Sequence, residues 1–237
     1  MNNHDESLLD NPSWFALTTK QAKLALGSGL ARRYDPAVAP FSAVEMPTEE
    51  AFHALGKLIS SDGFAVLQTT SELPAIEGLQ TERIFGLLQM VDKATMNSVD
   101  DRDVIRLSER DAQDMLELAT RTKPGPFGSR TIETGNYIGI RDGGNLIAMA
   151  GERMRLNGYV EISAVCVDGR YRGRGIAARL MNILRGEIQT RGDTPFLHVR
   201  DDNTSAITLY ERLGFKARKT FSLYRVTPAL QNISSTR

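Results

Sequence analysis

Apolar and polar positions recur along this chain with two periods, and the change from one period to the other marks its elements. From Asn11 to Leu26, "NPSWFALTTKQAKLAL" carries apolar residues at helical spacing. Asn11 is positioned to cap that helix, Pro12 suits its first turn, and Gly27 and Gly29 end it. "VAPFSAVE" is weakly strand-like, and Pro40 predicts an edge strand. "PTEEAFHALGKLIS" predicts a second helix, with Thr48 as cap and Phe52, Leu55 and Ile59 on one face. "FAVLQTT" and "IFGLLQMV" predict strands on either side of a turn-rich loop.

"NSVDDRD", Asn97 to Asp103, is the best linker, and it divides the chain into an amino-terminal region, 1–98, and a second domain, 99–237. Beyond it "VIRLSERDAQDMLELAT" predicts a short strand and a helix capped by Ser108, followed by a Pro- and Gly-rich loop. Three strands come next, "NYIGIRD", "NLIAMAGERM" and "YVEISAVCV". Gly143-Gly144 and Asn157-Gly158 separate them, which predicts an antiparallel meander. A helix follows with Ile176, Leu180, Ile183, Leu184 and Ile188 on one face. Then come the strand "PFLHVR", a helix capped by Asn203 and stopped by Gly214, and a closing strand, "KARKTFSLYRV". This order predicts a mixed, mostly antiparallel α/β sheet flanked by helices, with a smaller α/β region at the amino terminus. A helix–Gly-Phe–strand echo links Leu55–Thr69 with Leu209–Val226. It is readable either as a degenerate duplication or as a common connection.

Composition narrows the function by exclusion. The 237 residues hold one cysteine, Cys166, so no intramolecular disulfide forms, and the three histidines lack metal-ligand spacing. The polar amino terminus does not read as a signal peptide, and no apolar run approaches a membrane span, so a cytoplasmic protein is expected. Net charge is zero but uneven. Residues 1–100 carry 7 Lys/Arg against 13 Asp/Glu, and residues 101–237 carry 22 against 16. The second part is the better host for an anion, although an excess this small does not argue for nucleic acid.

The anion has an obvious host in "GRYRGRGIAARL", Gly169 to Leu180, which joins a strand to a helix. A helix start presents unpaired N–H groups and a partial positive charge. Gly173 and Gly175 let a phosphate approach the backbone, and Arg170, Arg172 and Arg174 add forked donors. A diphosphate fits this set, with a solvated helix start as the plain structural alternative. "GRGIAA", with Asp201 further on, partly matches a dinucleotide fingerprint, but five residues separate the glycines from the strand. The Walker pattern fails because no Gly-Lys-Ser/Thr follows, and Tyr171 alone is too little aromatic surface for RNA.

Two motifs together resemble the GNAT superfamily of acyl-CoA-dependent N-acyltransferases. One is Arg170-Tyr171-Arg172-Gly173-Arg174-Gly175. The other is "NTSAITLYERLGF", Asn203 to Phe215, one strand further on. The resemblance covers about Asp103 to Val226, and some relatives carry a degenerate half-domain where residues 1–98 stand here. It implies acetyl-CoA as acyl donor, no metal, and a small-molecule or peptide amine as acceptor. It is also compatible with a homodimer. Backbone groups of Val165, Cys166 and Val167 would pair with the pantetheine arm in a gap splayed from "PFLHVR". Amides from Arg172 through Ile176 to Ala177 would cradle the diphosphate, and Asn203, with Ala206 beside it, would hold the arm from the other side. Tyr210 would lie near the thioester sulfur.

The base is open at this level. Glu161 interrupts an apolar strand, so it is either the base or a salt-bridge partner of Arg153 or Arg155 across the hairpin. His198 has the better unperturbed pKa but is equally a packed core residue. Cys166 reads as a buried thiol, because no His pairs with it. A non-catalytic acyl-CoA-binding module would use the same loop and Asn203 without a working Tyr210 or base.

Overall fold

Local turn chemistry builds the carboxyl-terminal half, and long-range pairing ties it to the rest. The computed structural model describes residues 4–95 and 101–229. The predicted linker therefore lies outside the described residues over positions 97–100. The strands are β1 (Ala25–Leu26), β2 (Ala31–Tyr34), β3 (Phe41–Val44), β4 (Ala65–Thr69), β5 (Leu79–Asp92), β6 (Ile105–Leu107), β7 (Tyr137–Asp142), β8 (Asn145–Leu156), β9 (Tyr159–Val167), β10 (Thr194–Arg200) and β11 (Phe215–Pro228). The helices are α1 (Pro12–Thr18), α2 (Glu49–Gly56), α3 (Ala112–Thr122), α4 (Ile176–Thr190) and α5 (Thr204–Arg212). All the strands join one mixed sheet, in the order β1-β2-β3-β4-β11-β5-β10-β9-β8-β7-β6. The expected α/β class and the meander β7-β8-β9 are present, with two-residue turns at Gly143-Gly144 and Asn157-Gly158. Alternation along β8 sends Ala148 and Ala150 to the core under α4, and Met149 to the core under α3.

The centre of the sheet does not follow the division at residue 98. β5, from the amino-terminal region, runs antiparallel between β10 and β11, and β11 in turn pairs with β4. The last strand of each half is thus built into the other half. About this seam the sheet is pseudo-symmetric. β3 and β4 form a parallel pair joined through α2, and β9 and β10 form a parallel pair joined through α4. This corrects the echo read from the sequence. The mate of α2–β4 is α4–β10, not α5–β11. Two buried polar ties cross the seam. Arg185 of α4 donates to Asp92 of β5 at 2.8 and 2.7 Å, and Gln89 Nε2 meets His198 Nε2 at 3.2 Å.

Two local expectations are also corrected. α1 stops at Thr18 rather than Leu26, because the buried Gln21 side chain pins the chain in a turn. It donates to the carbonyls of Thr134 and Arg153, both at 2.7 Å, and accepts from the Tyr34 hydroxyl at 2.6 Å. Asn11 does not cap α1. Its Nδ2 donates to the Val44 carbonyl instead. β3 is no edge strand, since β2 and β4 flank it. Pro40 sits just before it and removes no ladder hydrogen bond. No helix among the described residues is long and apolar enough to cross a membrane.

Candidate active site

The loop from β9 to α4 is held from below and bare above. Asp168 Oδ1 accepts from the Arg170 amide and from Arg170 Nε, both at 3.1 Å, and the Tyr171 hydroxyl donates to Asp142 at 2.6 Å. Gly173 and Gly175 have φ of +77° and +75°, where a side chain is strained, and a Cβ added at either would point into open space. The Arg172 amide, expected in the cradle, turns back to the Gly169 carbonyl at 3.4 Å. Past it, the first amide to reach a backbone carbonyl is that of Arg179, on Gly175. Amides of 173–178 thus stay free of backbone partners among the described residues, one residue further along than expected. Arg172 Nε is drawn to the Val167 carbonyl and Arg174 Nη2 to the Arg170 carbonyl, each at 3.3 Å.

Beside this loop the sheet opens. Pairing between β9 and β10 ends at Glu161 and Phe196. Between Ser163 and Cys166, β9 carries one residue more than the opposing Gly151–Met149 of β8, which is a bulge. Within it Ala164 takes φ +52°, a conformation costing about 1–3 kcal/mol for a non-glycine residue. From Ile162 on, β9 has no partner on the β10 side. Val165, Cys166 and Val167 therefore line a slot of about 350 Å³ together with Gly173, Gly175 and Ala177. Burial pushes the Cys166 thiol up to about 11, so it stays protonated.

A cavity of about 1070 Å³ adjoins the slot and shares Val165, Ala177 and Leu209 with it. α5 supplies Asn203, Ala206 and Tyr210. Asn203 Oδ1 caps the helix by accepting from the Ala206 amide at 3.1 Å, and the Asn203 Nδ2 group is not part of that bond. Burial alone raises the Tyr210 hydroxyl above its ordinary pKa, so it remains a proton donor across neutral pH. Lys123 to Pro126 form another wall, and Phe41, Val66, Gln68, Phe85 and Leu87 come from the amino-terminal region.

Glu161 and His198 are together, but both are tied down. Glu161 is fully buried and bonded twice by Arg153, from Nε at 2.8 Å and Nη2 at 2.6 Å. Burial raises a carboxyl's pKa. Here the Arg153 charge and its hydrogen bonds outweigh that effect, with help from His198, and hold Glu161 at about 2. His198 Nδ1 lies 2.7 Å from Glu161 Oε1, and its Nε2 faces the amide nitrogen of Gln89. The Gln89 amide is oriented by Arg218, which donates to its oxygen at 2.9 Å, and by the Leu9 carbonyl, which takes its N–H at 2.9 Å. With the Gln89 amide so oriented, its N–H points at the His198 Nε2 lone pair, and Nδ1 is left to face Glu161. No group of His, Cys, Asp and Glu among the described residues could hold a metal ion.

The resemblance implied that the loop, a strand splayed from "PFLHVR" and α5 share one site, and residues of all three line the adjoining slot and cavity. It missed Gln68 and Phe41, which carry no motif and reach the cavity only through the strand exchange.

The FR47-like protein family matches residues 137–226. N-alpha-acetyltransferase RimI of Mycobacterium tuberculosis is 35% identical over 121 residues, 46% of this chain and 75% of that protein. N-alpha-acetyltransferase 30 of Saccharomyces cerevisiae is 36% identical over 73 residues, 30% of this chain and 40% of that one. Among solved structures, a GNAT-family protein from Novosphingobium aromaticivorans is 38% identical, with a TM-score of 0.87, over 93% of this chain and 98% of its own. A GCN5-related N-acetyltransferase from Kribbella flavida shares the fold at 16% identity, with a TM-score of 0.63, over 92% of this chain and 96% of its own. By these similarities the chain belongs to the GNAT family of N-acetyltransferases.

Proposed function

We propose that this acetyltransferase moves an acetyl group from acetyl-CoA to the primary amine of a small molecule or peptide by direct attack. The observation that carries the reading is the continuity of three features: bare loop amides, an unpaired strand edge, and a cavity walled by Tyr210. The residues fit the donor. Gly173 and Gly175 leave open space where a diphosphate needs to approach, and the free edge of Val165–Val167 offers backbone groups to an amide-bearing arm. Acetyl-CoA, when bound, supplies a thioester whose carbonyl carbon accepts the amine.

In the transfer, a C–N bond forms and the C–S bond breaks. Tyr210 donates its hydrogen bond, or its proton, to the departing sulfur, and one proton leaves the nitrogen for water. The ordinary thiol pKa is about 8.5, so full proton transfer from a tyrosine is uphill and hydrogen bonding carries much of the stabilisation.

Glu161 and His198 act in this reading as positioning residues that hold Arg153 at the cavity wall. A carboxylate held near 2, with its oxygens bonded, is a weak base. The amine then has to arrive unprotonated. At pH 7 that costs about 4–5 kcal/mol for a lysine-like amine and about 1 kcal/mol for a chain-terminal α-amine of pKa about 7.7–8.0, with a free amino acid in between because its own carboxylate stabilises the ammonium. The second figure favours an α-amine acceptor, in keeping with the names of the N-alpha-acetyltransferase relatives.

The test is a thiol-release assay with acetyl-CoA across a panel of amines, beside calorimetry with CoA. CoA binding plus release with an α-amine is the expected result. Binding with no release by any amine would make the protein a non-catalytic acyl-CoA module, and no binding would overturn both readings.

A further inference from the structure

The cavity wall carries charge of one sign. Lys123, Arg153, Arg200 and Arg212 line it, and no Asp or Glu does among the described residues. Arg200 is spoken for at the surface by Asp202, so the deeper groups decide what is recognised. Arg153 is one of them. Its side chain is 9% exposed, and its Nε and Nη2 are committed to Glu161, which leaves Nη1 without a partner among the described residues. Its guanidinium lies over the Phe41 ring, 4.6 Å from the centroid.

Gln68 is the other. Phe41 pairs with Val66 across β3 and β4, and strand alternation puts Gln68 on the same face as Val66. Gln68 is 8% exposed. Its Oε1 accepts from Ser13 at 3.3 Å, while its Nε2 is buried with no hydrogen-bond partner. A buried amide N–H without a partner costs about 1–3 kcal/mol. One buried unsatisfied amide and one guanidinium edge not used by Glu161 thus line the same cavity, in an otherwise apolar setting of Val66, Leu87 and Leu223.

We propose that the acceptor is a small amine bearing its own carboxylate and an apolar body, as an α-amino acid with an apolar side chain does. This rests on the acetyl-transfer reading above and names the substrate class of the same site. The carboxylate takes the free Nη1 edge of Arg153 and the Gln68 amide, and the side chain lies against the apolar wall. Polyamines and basic peptides meet Lys123 and Arg212 on the lining and no lining carboxylate among the described residues. Pairing the substrate carboxylate with Arg153 and Gln68 removes its hold on the neighbouring ammonium, which helps to free the amine in the absence of a base.

The experiment compares leucine, leucinamide, a leucyl peptide amide and cadaverine as acceptors with saturating acetyl-CoA, and repeats the series with phenylalanine and its amide. Leucine and leucinamide share amine and side chain and differ in the carboxylate. The amide's nitrogen is the weaker base, so a preference for the acid has to come from recognition. We expect kcat/KM for the acid to exceed that for its amide by about 10-fold or more, the effect of hydrogen bonds to a charged group. Cadaverine should be inert. Gln68→Leu should raise KM for leucine, leave KM for acetyl-CoA unchanged and bring the acid-to-amide ratio toward one. The wild-type ratio decides the matter even if that variant folds poorly. Equal or better use of the amides, the peptide amide or cadaverine would overturn this proposal and leave acetyl transfer standing. Absence of release with every amine, with CoA still bound in calorimetry, would overturn both.

Discussion

Glu161→Gln removes the charge of the buried pair while keeping its shape and an oxygen for His198. Two routes give the size of the effect. Against 4.5 for an ordinary glutamate, a value of about 2 in the folded protein corresponds to about 3 kcal/mol at neutral pH. Independently, removing one partner of a buried ion pair costs about 3–5 kcal/mol, because Arg153 is left buried and unpaired. In a chain of this size each kcal/mol moves Tm by about 2–4 °C, so the variant should melt roughly 10 °C lower at pH 7. The sign with pH follows from the lowered folded pKa. The contribution is complete above about pH 4.5 and is lost as pH falls toward 2, so the gap between wild type and variant should hold from pH 8 to 5 and close below that. Melting curves at several pH values, with CoA affinity by calorimetry as a control for the loop, make the measurement. A variant that melted within a degree of wild type while losing turnover and the acidic limb of the pH–rate profile would refute this reasoning and make Glu161 the base.

Tyr210→Phe should keep Tm and CoA affinity and lower turnover by about 10²–10⁴-fold, the range for a lost general acid; steady-state kinetics with chemistry rate-limiting checks it. Gly173→Val should weaken CoA binding at least 10-fold in calorimetry through the space it fills, while the strain of a branched residue at φ +77° lowers stability by about 1–2 kcal/mol. A fragment beginning at residue 97 lacks β5, which leaves the edges of β10 and β11 unpaired; it should show no cooperative melt and no CoA binding, and a folded fragment that binds CoA would show the exchange to be dispensable.

What the sequence made legible was local. The loop's glycines and arginines, the Asn203 cap and the Asn157-Gly158 turn each act within a few residues, so their geometry is written in adjacent letters. Expectations failed where a distant partner decided the outcome. The apolar spacing of 11–26 continues past Thr18, but Gln21 finds buried carbonyls on residues more than a hundred positions away, and the helix yields to that. Pro40 suggested an edge because the pattern gives no neighbours, and the neighbours of β3 come from elsewhere in the sheet. Glu161 was legible as an anomaly on an apolar strand. The choice between base and ion pair needed the depth of Arg153 and the occupied lone pair of His198.

In the proposed reading acceptor recognition falls in part to a region without a motif, and the strand exchange accounts for that. β5 and β11 are each paired along most of their length, and each belongs by chain order to the half opposite the one it completes. Neither half can therefore turn away from the seam without breaking backbone hydrogen bonds in the middle of a sheet. A wall built from Phe41, Val66 and Gln68 on one half can then face Tyr210 and the splayed end of β9 on the other at fixed distance. In the proposed reading the carboxyl-terminal half meets the donor with backbone amides, an unpaired strand edge, Asn203 and Tyr210, features that any acyl-CoA uses alike. Discrimination between amines has to come from side chains that project into the remaining space. Arg153 is one of these, and Phe41, Val66, Gln68, Phe85 and Leu87 stand on strands of the first hundred residues, where the sheet tolerates any residue that packs. That freedom removes the motif from the sequence, and the rigidity of the seam makes the resulting side chains able to select.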